Sequence, residues 1–267
     1  MSGAGVIAPP GYERFSVRDA TVVTLADAVR GVQEALSVCR TLHAWASTLP
    51  SATAHQGRAT AWGARLPRSE IDVVVRHSQH GGMLAAVTGD LFRWPGRAPW
   101  ELEVSRRLRH AEVATPEVVA YLVYPAGPLF CRNDVATRRL PDGEDLPAAW
   151  RHAPPAEREA QLEAVIGLLH ALRRAGAHHP DLNAPNIYLA PDRRAAPRRA
   201  RRKEAPAAQP TWTAFVLDVD RVRFIESGDD GAEAAKRNAA RLRRSLLKWR
   251  AREGLPFSDA QLERLDA

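Results

Sequence analysis

The chain has 267 residues, of which 45% are hydrophobic and 26% charged, and a formal net charge of +7 at pH 7. This composition is ordinary for a soluble globular protein with a sizeable core. No apolar run approaches the roughly eighteen residues needed to cross a bilayer, and residues 1–6 lack the features of a signal peptide. With only two cysteines, Cys39 and Cys131, a disulfide framework is excluded, and we expect a cytosolic protein.

The positive charge is carried mostly by arginine, which fits a polyanionic partner such as nucleotide phosphates, acidic lipid head groups or nucleic acid. Nucleic acid is the least supported of the three. No aromatic residues alternate with the basic clusters, and no zinc or RNA-binding signature is present. We therefore expect no nucleic-acid partner.

The first part of the chain predicts a short arm or edge structure, a helix and a hairpin. Residues before about Thr21 show no sustained period, whereas apolar residues recur at helical spacing over residues 25–49. Residues 53–65 look like two strands joined by a turn at Gly57 and Arg58. A glycine turn can bring backbone N–H groups close to phosphates, although an ordinary hairpin fits the pattern equally well.

The β-branched run of residues 71–76 predicts a strand that ends in a cation, Arg76. In kinases the corresponding strand supplies a Lys that binds the phosphates and pairs with a Glu on the next helix. Residues 97–110 predict that helix. Glu101 is the preferred partner of Arg76, and Glu103 is the alternative. Without this role, Arg76 would be a surface arginine at a strand end.

The middle of the chain predicts a strand pair, a hinge and a long helix. Apolar residues alternate over residues 118–123 and continue through residues 129–135. The turn-rich residues 139–146 are interpreted as a hinge between two lobes. Residues 156–175 form an amphipathic helical pattern that Gly176 is well placed to stop. This helix would support the loop that follows it.

The loop after this helix has the layout of a kinase catalytic loop. In such loops an Asp accepts the proton of the attacking hydroxyl, as Asp181 would here, and an Asn five positions later ligates magnesium, as Asn186 would. Downstream, an apolar run ends in Asp218, where the kinase pattern places its metal-binding Asp. Each motif alone is weak, because an Asp at a strand end is usually a turn former. Their order, and the strand attached to each, favour a catalytic site.

Two basic segments follow the loop. Residues 192–203 are too charged and too interrupted by proline to pack, which indicates either a solvated insertion or a contact with an anionic membrane. Residues 234–252 predict a basic amphipathic helix. Its apolar side would close the second lobe, and its arginine-rich face could add to the same membrane contact.

With these motifs assembled, the chain resembles the lipopolysaccharide kinases of Gram-negative bacteria, most closely the 3-deoxy-D-manno-octulosonic acid (Kdo) kinases. Asn183 stands where protein kinases usually have Lys or Arg, and Asp220 replaces their usual Gly. Both differences point away from protein kinases. The matching stretches are Gly57-Arg58, Val75-Arg76-His77 with Gly81-Gly82, Glu101 to Leu108, Ala114 to Ala120, Thr137 to Leu140, His179 to Ile187, Leu217 to Arg221 and Asn238 to Lys248.

The resemblance implies an α+β, bilobal, protein-kinase-like fold. Residues 1–140 would form a mostly β N-lobe with an N-terminal helical extension, and residues 141–267 a mostly α C-lobe with a basic insertion near 191–211. The implied activity is ATP-dependent phosphorylation of a Kdo hydroxyl on a lipid A precursor. The protein would be peripheral on the cytoplasmic face of the inner membrane, held to that anionic surface by its basic segments.

The resemblance also implies roles for individual residues. Asp181 would be the catalytic base and His179 would support its loop, while Asn186 and Asp218 would hold Mg²⁺. ATP would lie between the lobes in contact with the nucleotide-site residues Gly57, Arg58, Arg76, Glu101 and Asn183. The family also has an Arg at the position of Arg76. The chain departs from the family in the length of its basic insertion and in Pro185, where His is common.

Three other functions remain open from the sequence. A kinase of the same fold could act on another sugar or on a protein hydroxyl, because the motifs describe only the phosphate donor side. A pseudokinase could bind lipopolysaccharide precursors without catalysis, although Asp181, Asn186 and Asp218 are all present. A basic nucleic-acid-binding module would have no nucleotide site and would bind with strong salt dependence.

Overall fold

The computed structural model describes residues 8–55, 60–79, 89–192, 211–225 and 231–266. The chain forms two compact units. The first contains the residues up to Glu103 together with Glu117–Arg139, and the second contains Val104–Pro116 and the residues from Leu140 onward. The chain thus enters the second unit at Val104, returns to the first at Glu117 and leaves it again after Arg139.

Within the described residues, the first unit is built on an eight-stranded antiparallel sheet. The strand order is β1-β2-β7-β8-β5-β4-β3, and β6 pairs with β8. The segment expected to be an arm or edge structure forms the edge strand β1. The strands are β1 (Tyr12–Val17), β2 (Ala20–Leu25), β3 (Thr53–His55), β4 (Ala61–Arg65), β5 (Asp72–His77), β6 (Phe92–Arg93), β7 (Val118–Pro125) and β8 (Phe130–Arg138).

Helices α1 (Val29–Val38) and α2 (Leu42–Thr48) pack on one face of this sheet. The sequence predicted a single helix here, but the backbone is extended at Cys39. Thr41 then starts α2 as an N-cap, its side chain accepting a hydrogen bond from Ala44 N at 3.1 Å. A Thr cap competes with helix continuation, so the stripe is divided between two helices.

Helix α3 (Ala98–His110) begins on the opposite face of the sheet. Its residues Ala98 and Leu102 pack with Tyr121 and Val123 of β7, whereas Leu122 belongs to the cluster under α1 and α2. Successive side chains of a strand point to opposite faces. Because both faces of the sheet are covered, β7 is apolar at nearly every position.

The first unit also contains a buried polar cluster around Asp134, which is fully buried. Its carboxylate accepts hydrogen bonds from His77 Nδ1 at 2.7 Å, Tyr124 Oη at 2.9 Å and His43 N at 2.8 Å. The hydrogen bond to Asp134 is the main cause that raises the pKa of His77, and Asp90, 3.0 Å from Nε2, adds to it.

The second unit is mostly helical. Strands β9, β11 and β12 form one small sheet in the order β12-β11-β9, and β10 pairs with β13. Among the described residues, no helix has the length and apolar content required to cross a bilayer. The elements are β9 (Glu144–Asp145), α4 (Leu146–His152), α5 (Pro155–Arg174), β10 (Ala177–His178), β11 (Ile187–Pro191), β12 (Trp212–Val216), β13 (Arg223–Phe224), α6 (Ala232–Glu253) and α7 (Asp259–Glu263).

Helix α5 supplies the centre of this unit's core. It buries Leu162, Val165, Leu169 and Leu172 in the cluster that also contains β12 and helix α6, the elements it contacts most. Gly176 follows the helix with φ +61°, and its N–H donates to Arg173 O at 2.9 Å. Only glycine adopts this left-handed conformation at little cost. The chain therefore turns sharply here and enters β10 and the predicted catalytic loop.

Candidate active site

The predicted catalytic loop runs from β10 to β11, entirely within the second unit. A 3₁₀ turn at Ala184–Asn186 closes it, with Asn186 N donating to Asn183 O at 2.9 Å. The side-chain amide nitrogen of Asn186, Nδ2, donates to Asp181 O at 2.8 Å. Because this bond uses the donor atom of the side chain, the atom left to ligate a metal is the side-chain oxygen, Oδ1.

The pairing of β11 with β12 brings the other predicted metal ligand to the same end of the sheet. Ile187 is paired with Val216, and beyond this pair Leu217 N donates to Asn186 O at 2.8 Å. Asn186 therefore lies just before β11 and Asp218 lies two residues after β12, so both are at the same end of the sheet. Asp218 is exposed and has φ +56° and ψ +49°, a left-handed conformation that is uncommon outside glycine.

His179 connects the segment that carries Asp181 with the segment that carries Asp218. The ring is fully buried; its Nε2 donates to Leu217 O at 3.0 Å, and its Nδ1 accepts from Asp181 N at 3.2 Å. These partners select the neutral tautomer with hydrogen on Nε2. Burial lowers the pKa of His179, an effect that the hydrogen bond to Leu217 O and the nearby carboxylates oppose. His179 thus supports the loop as a neutral cross-link.

The carboxylate of Asp181 is held by two donors. Its Oδ1 accepts from Asn183 Nδ2 at 2.7 Å and from Arg241 Nη2 at 2.6 Å. Asn183, predicted from the resemblance to contact the nucleotide, here contacts the predicted base. A charge-assisted bond from arginine is stronger than one between neutral groups, so Arg241 is the stronger restraint on Asp181.

Sequence reasoning missed Arg241 and two further residues of α6 that hold the loop. Asn238 is fully buried, accepts from His179 N at 2.9 Å and donates to Ala177 O at 2.8 Å. Ser245 Oγ accepts from Ala184 N at 3.0 Å. The sequence carries a signal that could have found them, because Asn238, Arg241 and Ser245 follow the three- and four-residue spacing of one helix face.

Oxygen donors dominate the predicted metal site, which suits Mg²⁺ better than a transition metal. The protein would contribute the amide oxygen of Asn186 and the carboxylate of Asp218. Within the described residues, no group of three or more His, Cys, Asp or Glu side chains forms a dedicated metal cage. A site with only these two protein ligands would need phosphate and water oxygens to complete the coordination of Mg²⁺.

In the first unit, Arg76 forms an ion pair with Glu101 of α3. The Arg76 side chain is 30% exposed, whereas that of Glu101 is 5% exposed. Of the two candidates, Glu101 is thus the one whose ion pair with Arg76 is observed. A buried carboxylate fixes the guanidinium in place, as the predicted phosphate-binding role requires. Gly57 and Arg58, the other two predicted nucleotide contacts, lie outside the described residues.

Comparison with known proteins identifies relatives over most of the chain. A family model described as "Lipopolysaccharide kinase (Kdo/WaaP) family" matches residues 43–267. The 3-deoxy-D-manno-octulosonic acid kinase of Xanthomonas oryzae pv. oryzae (strain PXO99A) is 31% identical over 214 residues, covering 78% of this chain and 74% of the relative. The kinase of the same name from Xylella fastidiosa (strain M12) is 28% identical over 228 residues, covering 83% and 80%.

Among solved structures, a similar chain is described as "WaaP in complex with acyl carrier protein". It has a TM-score of 0.47 and 18% sequence identity, and the match covers 80% of this chain and 76% of that one. The α+β class predicted from the sequence, with strands mostly in the first part and helices mostly in the second, is confirmed by the elements described above.

Proposed function

The chain belongs to the lipopolysaccharide kinase (Kdo/WaaP) family, and we propose that it uses ATP and Mg²⁺ to phosphorylate a hydroxyl of Kdo on a lipid A precursor. Family membership makes it a phosphotransferase that acts on a sugar hydroxyl in lipopolysaccharide. The choice of Kdo as the acceptor is supported by the relatives from Xanthomonas oryzae and Xylella fastidiosa, both named 3-deoxy-D-manno-octulosonic acid kinase. The role of the loop is supported by the His179 cross-link between the Asp181 and Asp218 segments.

In the proposed mechanism, Asp181 accepts the proton of the attacking Kdo hydroxyl, whose oxygen bonds to the γ-phosphorus as the bond between that phosphorus and ADP breaks. Asn183 and Arg241 contact the Asp181 carboxylate. Asn186 and Asp218, at the ends of adjacent strands, are the residues that would hold the metal. Mg²⁺, when bound, supplies neutralisation of phosphate charge. Phosphoryl transfer depends mainly on positioning and charge stabilisation, and a loop cross-linked to the neighbouring strand provides a fixed geometry.

Arg76 is the proposed phosphate-binding cation of the first unit. A guanidinium can donate two parallel hydrogen bonds to phosphate oxygens. The ion pair with Glu101 uses Nη2 of Arg76 and thereby orients the remaining N–H groups of the guanidinium. An arginine held in this way would replace the ammonium that protein kinases use at the same place in their pattern.

Acceptor identity can be tested by supplying the protein with radiolabelled ATP and three candidate acceptors. These are a Kdo-bearing lipid A precursor, the same lipid without Kdo, and a generic protein. We expect label on the Kdo-bearing lipid alone. Label on the lipid without Kdo, or on protein alone, would contradict the proposal. Thermal stabilisation by ATP and Mg²⁺ with no labelled product would instead favour a pseudokinase.

We also propose that the protein binds peripherally to the cytoplasmic face of the inner membrane, where such a lipid would be presented. An exposed apolar cluster in the first unit supports this proposal. Trp94, Leu129 and Phe130 are 47%, 65% and 42% exposed, and Trp94 N donates to Leu129 O at 3.1 Å. Arg93, also exposed, is paired with Phe130 across β6 and β8.

Trp100, in the first turn of α3, is 49% exposed and lies six residues after Trp94. Tryptophan and arginine together suit the interface between water and an anionic bilayer, because the rings enter the head-group region while the cation meets lipid phosphate. Of the basic segments that the sequence singled out for this contact, residues 193–203 lie outside the described residues. The exposed arginines of α6 include Arg243 and Arg244.

A further inference from the structure

Helix α6 contacts the catalytic loop through a row of polar side chains. Asn238, Arg241 and Ser245 are separated by three and four residues, so they lie along one face of the helix. In chain order they bind successive points of the loop: Asn238 at Ala177 and His179, Arg241 at Asp181, and Ser245 at Ala184. The helix therefore fixes the backbone on either side of the predicted base as well as the base itself.

Arg241 differs from the other two because it reaches a side chain. Its Nη2 lies 2.6 Å from Asp181 Oδ1, and the two side chains are only 33% and 20% exposed. At position 183 protein kinases usually carry a cation within the loop, but this chain has the neutral amide of Asn183, which donates to the same oxygen. The positive charge in contact with the predicted base thus comes from α6.

Folding alone does not account for this arginine. Its Nε is buried and has no hydrogen-bond partner, and a buried donor without an acceptor destabilises a fold. What the arginine adds is a directed positive charge on the Asp181 carboxylate.

We propose that Arg241 is a positioning residue for phosphoryl transfer. It orients the Asp181 carboxylate toward the acceptor hydroxyl and supplies, from 60 residues further along the chain, the positive charge that the loop lacks at position 183. This role rests on the proposed function, in which Asp181 is the base. Arg241 acts through Asp181, so its loss should reduce the rate of transfer more than the binding of ATP.

The test is a kinetic comparison of Arg241→Gln, Arg241→Lys and Arg174→Gln. Arg174 is an exposed arginine of α5 in the same unit, outside the proposed catalytic and membrane contacts, and gives a matched control. We expect Arg241→Gln to lower kcat by about 10- to 100-fold with little change in the KM for ATP. Arg241→Lys should recover part of the loss because it restores the charge, and Arg174→Gln should behave as wild type.

Thermal unfolding of Asp181→Asn, Arg241→Gln and the double variant adds a readout that needs no activity. If the ion pair exists in solution, the double variant should melt at a temperature different from that given by adding the two single shifts. Additive shifts, or wild-type kcat in Arg241→Gln, would overturn the role of Arg241. So would an equal loss of kcat in the Gln and Lys variants accompanied by equally lowered melting temperatures, which would indicate a structural role only.

The two proposals can fail separately. A wild-type protein that labels no acceptor would overturn the proposed function together with this role. An active wild-type enzyme that loses its activity with Asp181→Asn but keeps it with Arg241→Gln would overturn the role of Arg241 alone.

Discussion

At the residue scale, two aspartates with different surroundings should respond differently to neutralisation. Asp181 is restrained by Asn183 and Arg241, whereas Asp218 is exposed at a strand end. We expect Asp181→Asn to lower kcat by about 10²- to 10⁴-fold, the usual contribution of a general base. Asp218→Asn should abolish measurable transfer, because one of the two proposed protein ligands of Mg²⁺ would lose its charge. Steady-state kinetics with varied Mg²⁺ would measure both effects.

Asp142→Asn is the control for these variants, because Asp142 is an exposed carboxylate of the same unit. It should leave kcat unchanged. Wild-type rates in both Asp181→Asn and Asp218→Asn, with any acceptor, would show that the site has been assigned to the wrong residues.

The buried ring of His179 should make stability depend on pH. Because burial lowers its pKa below the ordinary 6.5, the unfolded chain takes up a proton before the folded protein does. The contribution of His179 to the free energy of unfolding is therefore complete above about pH 6.5 and decreases as the pH falls toward the lowered pKa. We expect His179→Asn to be less stable at pH 7.5 and to lose less stability than wild type between pH 6.5 and 5. Urea unfolding at several pH values would measure this difference.

His77 offers a comparison of opposite sign. The hydrogen bond to Asp134 raises its pKa above 6.5, so its contribution is present below pH 6.5 and is lost as the pH rises through the raised value. His77→Asn should therefore lose less unfolding free energy than wild type as the pH rises above 6.5. The same acid dependence in His179→Asn and wild type would show that the buried ring does not produce the effect.

Local motifs identify some residues of the candidate site but not those contributed by α6. Asp181, Asn186 and Asp218 could be named from the chain because each stands at a fixed position in a local motif. Their roles stay predictions, although the strand pairing explains why Asn186 and Asp218 share one end of a sheet. Arg241 could not be named, because its contact with Asp181 depends on how helix α6 packs against a loop sixty residues earlier.

At the element scale, agreement with the sequence follows the strength of the periodic signal. Helix α5 was expected over residues 156–175 and spans Pro155–Arg174, and α6 was expected over 234–252 and spans Ala232–Glu253. The pair α1 and α2 was predicted as one helix. Neither Gly nor Pro marks the break, and the Thr41 cap that causes it is a weak signal within an apolar stripe.

Two glycines of the second unit should respond oppositely to the same substitution. A Cβ on Gly143 would lie 2.1 Å from Leu189 O, a backbone atom of β11, whereas a Cβ on Gly167 of α5 would meet nothing within 4 Å. We expect Gly143→Ala to destabilise the β9–β11 pairing. Gly167→Ala should stabilise the protein by about 0.5–1 kcal/mol, because alanine favours the helix. Chemical denaturation would measure both changes.

Each glycine variant controls for the other, since the atoms added are identical. Equal changes in unfolding free energy at the two positions would contradict the close approach of Gly143 to β11. The result also bears on the candidate site, because β11 continues directly from Asn186.

At the scale of the whole molecule, the net charge of +7 and the exposed apolar cluster predict binding to anionic vesicles. We expect the double variant Trp94→Ser with Leu129→Ser to bind about tenfold more weakly, since losing roughly 1.4 kcal/mol of apolar burial is sufficient for that change. Co-sedimentation with vesicles containing phosphatidylglycerol, and with neutral vesicles, would measure the affinity.

Val38→Ser is the matched control, because Val38 is an apolar residue of the same unit with 72% exposure. It should leave vesicle binding unchanged. Equal weakening by Val38→Ser, or no weakening by the double variant, would reject the Trp94 cluster as the membrane contact and leave the basic segments as the alternative.

The left-handed backbone of Asp218 has a consequence for substitution at this position. Asparagine tolerates this conformation nearly as well as aspartate, whereas alanine pays an additional conformational penalty. An alanine variant would therefore combine the loss of a proposed metal ligand with a distorted turn. Asp218→Asn removes the charge and keeps the turn. Asp218→Gly adopts φ +56° at little cost, and it would test whether an undistorted turn without any side-chain oxygen retains nucleotide binding.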